Sequence, residues 1–253
     1  MNKFFLIIIL YCNLSLCLNA QNKENIQVEY QIFNNTDSPN TLFATLFTDK
    51  KITIFFEKYS TQAFDLENSE GVVTRKPLNL FEPYTKIDHI NKKVFLFEPI
   101  NSINYLVEDN YTKLEWEISD ETKEIAAYEC VKATTNFRGR KWVAWFTPEI
   151  PLPYGPWKFH GLPGLIIEAY DIEGVYTMRA VKIEFKRDNI FDKDFTKLYK
   201  TKNNEPISYK EFLKNYQEYL ENTRAEIQSE MKHIKFLPTP PRKTKELKFE
   251  WEE

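Results

Sequence analysis

Few residues in this chain could do covalent or proton chemistry. The histidines are His89, His160 and His233, and the cysteines are Cys12, Cys17 and Cys130. Cys130 beside a histidine base would make a thiolate nucleophile. It lies among Ala126, Tyr128 and Val131 with no cationic neighbour, however, and so reads as a buried strand cysteine. No two histidines have close ligand spacing such as His-x-x-x-His, so no metal site is expected and no cofactor is implied. Glu149, Glu168 and Asp171 offer the paired carboxylates of a glycosidase. Glu168 interrupts an apolar run, and the simpler account makes it an ion-pair partner of Arg138 or Arg140. Such a buried pair would lock a loop onto a sheet.

Apolar binding is the other chemistry on offer. Trp142, Trp145, Tyr154, Trp157 and Phe159 crowd one stretch, with Lys158, His160 and Glu168 among or just after them. Pro148, Pro151, Pro153 and Pro156 fix φ and remove donors, so this stretch is a loop and not a central strand. Core packing accounts for the aromatic residues in one reading. In the other they form a ligand- or partner-binding rim on a rigid loop at a sheet edge. Leu162-Pro163-Gly164-Leu165 fits a type II turn, which predicts positive φ at Gly164.

The run Gly161-Leu162-Pro163-Gly164-Leu165-Ile166 carries a family resemblance. So do Phe137-Arg138-Gly139-Arg140, Ala144-Trp145-Phe146-Thr147 and Gly155-Pro156-Trp157-Lys158-Phe159. The chain resembles the GLPGLI family, secreted proteins of Bacteroidota, strongly over 113–185 and loosely in the N-terminal strands. The resemblance implies a signal peptide and export. It implies no established reaction, so no catalytic residue is carried over. A looser analogy, at the level of fold, is to the open half-barrels of envelope lipoprotein carriers.

The elements that must position these residues are mostly strands. Runs rich in β-branched and aromatic residues predict strands over 26–33, 41–48, 51–59, 92–97 and 101–107. Asp49-Lys50 and Glu98-Pro99 are the expected turns among them. Lys113–Ile118 alternates like a half-buried strand. Ile125–Thr135 and Lys141–Thr147 read as long strands joined at Phe137–Arg140, and 165–170 and 175–185 follow. Short turns between successive strands predict an antiparallel meander. Ser208 with Glu211 forms a capping box, and an apolar stripe from Phe212 to Ile234 predicts a helix over about 208–236. The expected fold is α+β: a mainly antiparallel, curved, open half-barrel-like sheet with a long C-terminal helix packed on it. Residues 21–237 form one β-rich domain, and 238–253, with Pro238, Pro240 and Pro241, form a flexible tail.

Residues 1–20 have a basic Lys3, an apolar run and a small residue, Ala20, before a polar stretch, as a secretory signal peptide does. Its removal takes Cys12 and Cys17 with it and leaves Cys130 alone, so no intrachain disulfide is expected. No later run is long enough for a span of ~20 apolar residues. A net charge of −3 with both signs mixed gives no case for nucleic-acid binding. These features predict an exported envelope protein in the periplasm, at the outer-membrane surface or secreted. It would bind a lipid-like ligand or an envelope protein without catalysis. The alternatives are a secreted hydrolase using Glu168, His160 or Cys130, and a structural or assembly component of the outer envelope.

Overall fold

The computed structural model describes residues 25–58, 65–67, 73–75, 83–101, 103–186, 205–231, 233, 236 and 242–252. The expected signal peptide lies outside the described residues. The strands are β1 (Asn25–Asn34), β2 (Asn40–Thr48), β3 (Ile52–Lys58), β4 (Asp65–Glu67), β5 (Val73–Arg75), β6 (Tyr84–Asp88) and β7 (Lys93–Ile100). They continue with β8 (Ile103–Asp109), β9 (Glu117–Ile125), β10 (Tyr128–Phe137), β11 (Arg140–Thr147), β12 (Leu165–Asp171), β13 (Tyr176–Lys186) and β14 (Ile207–Ser208). One helix, α1 (Tyr209–Glu230), follows β14.

Twelve strands form one open, curved sheet in the order β14-β8-β7-β6-β3-β2-β1-β13-β12-β11-β10-β9, and β4 pairs with β5 apart from it. The β14–β8 pair is parallel; the other pairs are antiparallel. The α+β fold therefore has the expected form. The loop 148–164, the start of α1 and the segment 242–252 all gather on one face, the inner face. The main core lies there, built from Val28, Tyr30, Leu46, Phe55, Trp142, Phe159 and Leu165 among others.

The turns follow from local chemistry. Asp49 Oδ1 accepts from the Lys51 and Ile52 amides at 3.0 and 2.8 Å, and Lys50 takes φ 71°. Asp88 does the same for Ile90 and Asn91.

Several boundaries differ from expectation. Glu98 and Pro99 lie within β7, and the reversal comes at Asn101, φ 56°. Lys113–Ile118 is not a strand up to Trp116. Leu114 is buried, and the Trp116 indole donates to His160 O at 2.9 Å, so this stretch is tied to a loop. The strand that follows, β9, is a charged sheet edge with no apolar period to betray it. Its hairpin to β10 turns at Ala126-Ala127, φ 52° and 66°, residues that carry none of the usual Asn-Gly signal.

Helix α1 starts as predicted, with Ser208 Oγ accepting from the Glu211 amide at 3.2 Å. It ends at Glu230, not near 236, because only its first turns meet the sheet. Tyr209, Phe212, Leu213 and Tyr219 join the cluster over β7 and β8, whereas Tyr216 and Met231 are exposed. Among the described residues no helix is long and apolar enough to cross a membrane.

The tail is the largest departure. Residues 242–252 dock on the β10–β11 turn, with Phe249 and Glu246 buried. The Leu247 and Lys248 amides donate to Arg138 O at 2.8 and 3.1 Å. Gly139, φ 83°, makes room: a Cβ there would lie 3.1 Å from Leu247 Cβ.

Candidate functional site

The loop between β11 and β12 folds back over the inner face. Its prolines remove several donors, and the Leu152, Tyr154, Phe159 and Gly161 amides bond to carbonyls within the loop. Gly161 N donates to Pro153 O at 2.8 Å, and Ile166 N to Tyr154 O at 2.9 Å. Along β11 the side chains alternate. Trp142 faces inward, with Phe159 and Trp157 rings at 4.9 and 5.7 Å. Trp145 faces outward under the Lys123 ammonium, 4.2 Å from its ring. All eight residues singled out from the sequence are buried, but they do not form one rim. Trp142, Tyr154, Trp157, Lys158, Phe159 and His160 cover the inner face, while Trp145 and Glu168 share the outer one.

The turn at 162–165 does not have the expected geometry. Gly164 is absent from the positive-φ residues, which in this segment are Trp157 (57°) and Gly161 (95°). Gly164 serves close approach: a Cβ there would lie 2.1 Å from Thr147 O. Gly155 does likewise against Ile166, at 2.7 Å.

The candidate catalytic side chains stay apart. Glu168 is paired with Lys123 at 2.7 Å and with Arg179, not with Arg138 or Arg140. The register explains this, since Arg179 stands opposite Glu168 across β12–β13. Cys130 is buried, and burial pushes its thiol up to about 11. Cys130 lies on the outward face of β10, away from His160. His233 is exposed. Among the described residues no group of three or more His, Cys, Asp or Glu side chains could hold a metal ion.

His89 and His160 do meet, with rings 5.5 Å apart. Tyr154 stacks on His89 at 4.3 Å and Tyr111 on His160 at 4.7 Å. Burial first, and then the proximity of His160, lowers His89 to about 4. Burial lowers His160 to about 4 against a hydrogen bond to the Thr112 backbone. Both rings are neutral at pH 7 and pin the loop to the β6–β7 hairpin.

Arg138 and Lys158 enter a buried ion network. Arg138 donates both Nη atoms to Asp109 at 2.8 Å, and Nη1 also reaches Glu246 at 2.5 Å. Lys158 Nζ lies 2.7 Å from both Asp109 and Glu246. The Tyr209 hydroxyl donates to Glu246 at 3.0 Å. Phe249 and Tyr209 cap the cations, at 4.9 Å from Arg138 and 4.8 Å from Lys158 respectively. Burial alone would raise Asp109, but Arg138 and Lys158 outweigh it and hold the carboxyl below its ordinary value. The neighbouring Arg140 pairs with Asp171 and Glu173, each at 2.8 Å.

Beside this network lies a groove of about 1320 Å³. Its floor is the inner face of β3, β6 and β7, through Phe55, Thr85 and Leu96. Its walls are α1, through Tyr209, Phe212 and Leu213, and the docked tail, through Lys245 and Phe249. Trp157 and Tyr176 close one end. Of the sequence-predicted residues only Trp157 reaches it. Asp109, Glu246, Tyr209 and Glu98 were not anticipated. The alternation Leu247, Phe249, Trp251 against Glu246, Lys248, Glu250 was the available signal for the docked tail.

A family profile described as "Protein of unknown function (Porph_ging)" matches residues 137–168. That span holds Arg138, Lys158, Gly164 and Glu168. No curated protein matches the sequence. Among solved structures, the fold is similar to PNGF-II in two crystal forms, at 18% identity and TM-scores of 0.52 and 0.55. The similarity covers 79% and 78% of this chain and 33% and 34% of those chains. The chain thus spans about a third of the PNGF-II length. A LolA superfamily protein from Nitrosomonas europaea also matches, at 10% identity and TM-score 0.32, covering 70% of this chain and 92% of its own. At these identities the likeness concerns fold alone.

Proposed function

We propose that the protein is an exported envelope protein that binds an apolar or amphiphilic ligand, without catalysis, in the groove under α1 and the docked tail. The observation that carries this reading is the groove itself. Its volume exceeds the ~300–1,000 Å³ of common small-molecule sites, and aromatic and aliphatic side chains make much of its lining. The aromatic loop has a supporting part. Trp157 forms the end wall, and the rest of the loop braces that wall from behind. The N-terminal run of residues 1–20 supports export.

N-phenyl-1-naphthylamine, a neutral apolar fluorophore, tests this. Binding to the wild type with displacement by decanol is the expected result. Gln217→Trp, on the exposed groove side of α1, fills the groove without touching the core and weakens binding about ten-fold, as does Leu213→Gln. Unchanged binding in both variants, with both folded, overturns the reading.

A further inference from the structure

The floor and walls of the groove are held in different ways. The floor is a hydrogen-bonded sheet, and α1 is anchored by the buried Phe212 and by the β14–β8 strand pair at its start. The segment 242–252 has neither support. It belongs to no strand, and of its residues only Glu246 and Phe249 are buried. Among the described residues its amides reach the rest of the chain at one carbonyl, Arg138 O, through Leu247 and Lys248.

The other contacts of this segment each involve a side chain. At one end Lys243 pairs with Asp37 at 2.9 Å, and the Lys243 carbonyl accepts from the Tyr176 hydroxyl at 2.7 Å. Arg140 Nε donates to Thr244 O at 3.0 Å, and Lys245 pairs with Glu57. At the other end Glu250 accepts from Arg138 Nε at 3.0 Å and from the Thr112 hydroxyl at 3.5 Å. Between the ends, Glu246 enters the socket formed by Arg138 and Lys158, and Phe249 lies over the Arg138 guanidinium. The Glu246 pairs keep the docked form dominant, whereas exposed pairs such as Lys243–Asp37 add little. The socket also survives without the segment, because Asp109 keeps its bonds to both Arg138 and Lys158. A wall with so few buried apolar contacts opens before the sheet does.

We propose that residues 242–252 are a strap that undocks as a unit while the sheet and α1 stay folded, and that the groove takes up and releases its ligand through this opening. The inference rests on the groove-binding reading above. The strap lines the groove through Arg242, Lys243, Lys245, Glu246, Phe249 and Trp251, so its departure removes one wall. Strap and α1 meet at Tyr209, whose hydroxyl donates to Glu246 and whose ring lies 5.2 Å from Phe249. Parting them there opens the groove. A gate that must open for both entry and exit scales both rates alike and leaves the affinity unchanged. A residue that only lines the binding wall changes the affinity instead.

Native-state hydrogen exchange followed by NMR, with stopped-flow fluorescence of N-phenyl-1-naphthylamine, tests this. In the wild type the Leu247 and Lys248 amides exchange at least about 100-fold faster than the β12 amides, with a weaker dependence on urea. Asp37→Asn with Glu250→Gln removes the ion pairs at the two ends of the strap; both residues are exposed and neither lines the groove. In this double variant the same two amides exchange about three- to ten-fold faster still. Association and release of the fluorophore rise by the same factor, while Kd changes by less than about two-fold. Exchange of the two amides only together with β12 overturns the strap, and so does unchanged exchange in the double variant. Faster exchange with unchanged fluorophore kinetics overturns its role as the way in. No fluorophore binding to the wild type overturns the groove reading itself, and the gate with it, whatever the exchange shows.

Discussion

Residues 137–168 and the groove wall beside them treat charge in opposite ways. In the first, Arg138 spends its guanidinium on Asp109, Glu246 and Glu250, Lys158 bridges Asp109 and Glu246, and Glu168 is held by Lys123 and Arg179. In the second, Glu98 stands on an open wall with its nearest charges already committed to others. Matched buried charge fixes a shape, because each partner penalises departure of the other. An unmatched carboxyl in a groove leaves something for a ligand to supply. The family-matched span therefore reads as a frame, and the groove it borders as an open surface beside it.

Breaking the frame gives the largest effect. Arg138→Met leaves Asp109 and Glu246 facing each other with Lys158 as their remaining cation. Urea denaturation is expected to show a loss of about 3–5 kcal/mol. The double variant Arg138→Met/Asp109→Leu recovers much of this, since the penalty comes from uncompensated charge. A single-variant loss below about 1 kcal/mol would remove the contrast drawn above.

The frame also rests on backbone contact. Gly164→Val drives a side chain into Thr147 O, a backbone atom that cannot swing away, and costs about 3 kcal/mol or more. Pro163→Ala releases unfolded-chain entropy only and costs at most about 1 kcal/mol. Thermal midpoints that coincide would show that the close approach at Gly164 is not what holds the turn. Trp157→Ala belongs with the frame too. Its ring contacts with Phe137, Trp142 and Phe159 predict a core-sized loss of about 3 kcal/mol, not the mild change expected of a rim residue.

How legible these parts were follows from their physics. The Gly161–Ile166 run, the alternation in β11 and the capping box at Ser208 are local, and they announced a loop, a central strand and a helix start. Gly164 was seen as a special position for the wrong reason. Sequence shows that glycine is needed, but not whether φ or a neighbouring backbone demands it. The partners of Arg138, Lys158 and Glu168 lie far along the chain, and only strand register decides among many candidate carboxylates. Glu98 was hidden for a related reason. Beside Pro99 it looked like a turn, and its isolation depends on neighbours from β3, the loop, the tail and α1.

Acid–base behaviour sharpens the comparison at a smaller scale. His89 and His160 titrate near 4 when folded against 6.5 when unfolded. The unfolded chain then binds more protons between these values, so the pair's contribution is present above pH 6.5 and is lost as pH falls toward 4. Glu98 runs the other way. Its folded value, raised by burial to about 7, lies above the ordinary 4.5 of a glutamate, so the folded chain holds the extra proton, and stability falls as pH rises from 4.5 to 7. Glu98→Gln is therefore expected to be more stable than wild type by about 1–2 kcal/mol at pH 8, with no difference at pH 4. Chemical denaturation at the two pH values measures this. Equal stability at both would mean that the Glu98 carboxyl is well solvated and the groove wall is not an unmatched site.

The far end of α1 should show the least effect, and for that reason it bounds the groove. Tyr209, Phe212, Leu213 and Tyr219 pack over β7 and β8 and Tyr216 lines the groove, but Met231 is 46% exposed. A stripe that looks continuous in sequence thus has two parts: one that walls the groove, and one that projects past the sheet. Met231→Ser should change stability by less than about 0.5 kcal/mol, as exposed substitutions do. Phe212→Ala, in the first turn of the same helix, should cost about 3 kcal/mol. If Met231→Ser proved as costly as Phe212→Ala, the distal helix would have to be packed, and the groove would be longer than its present end at Gln217.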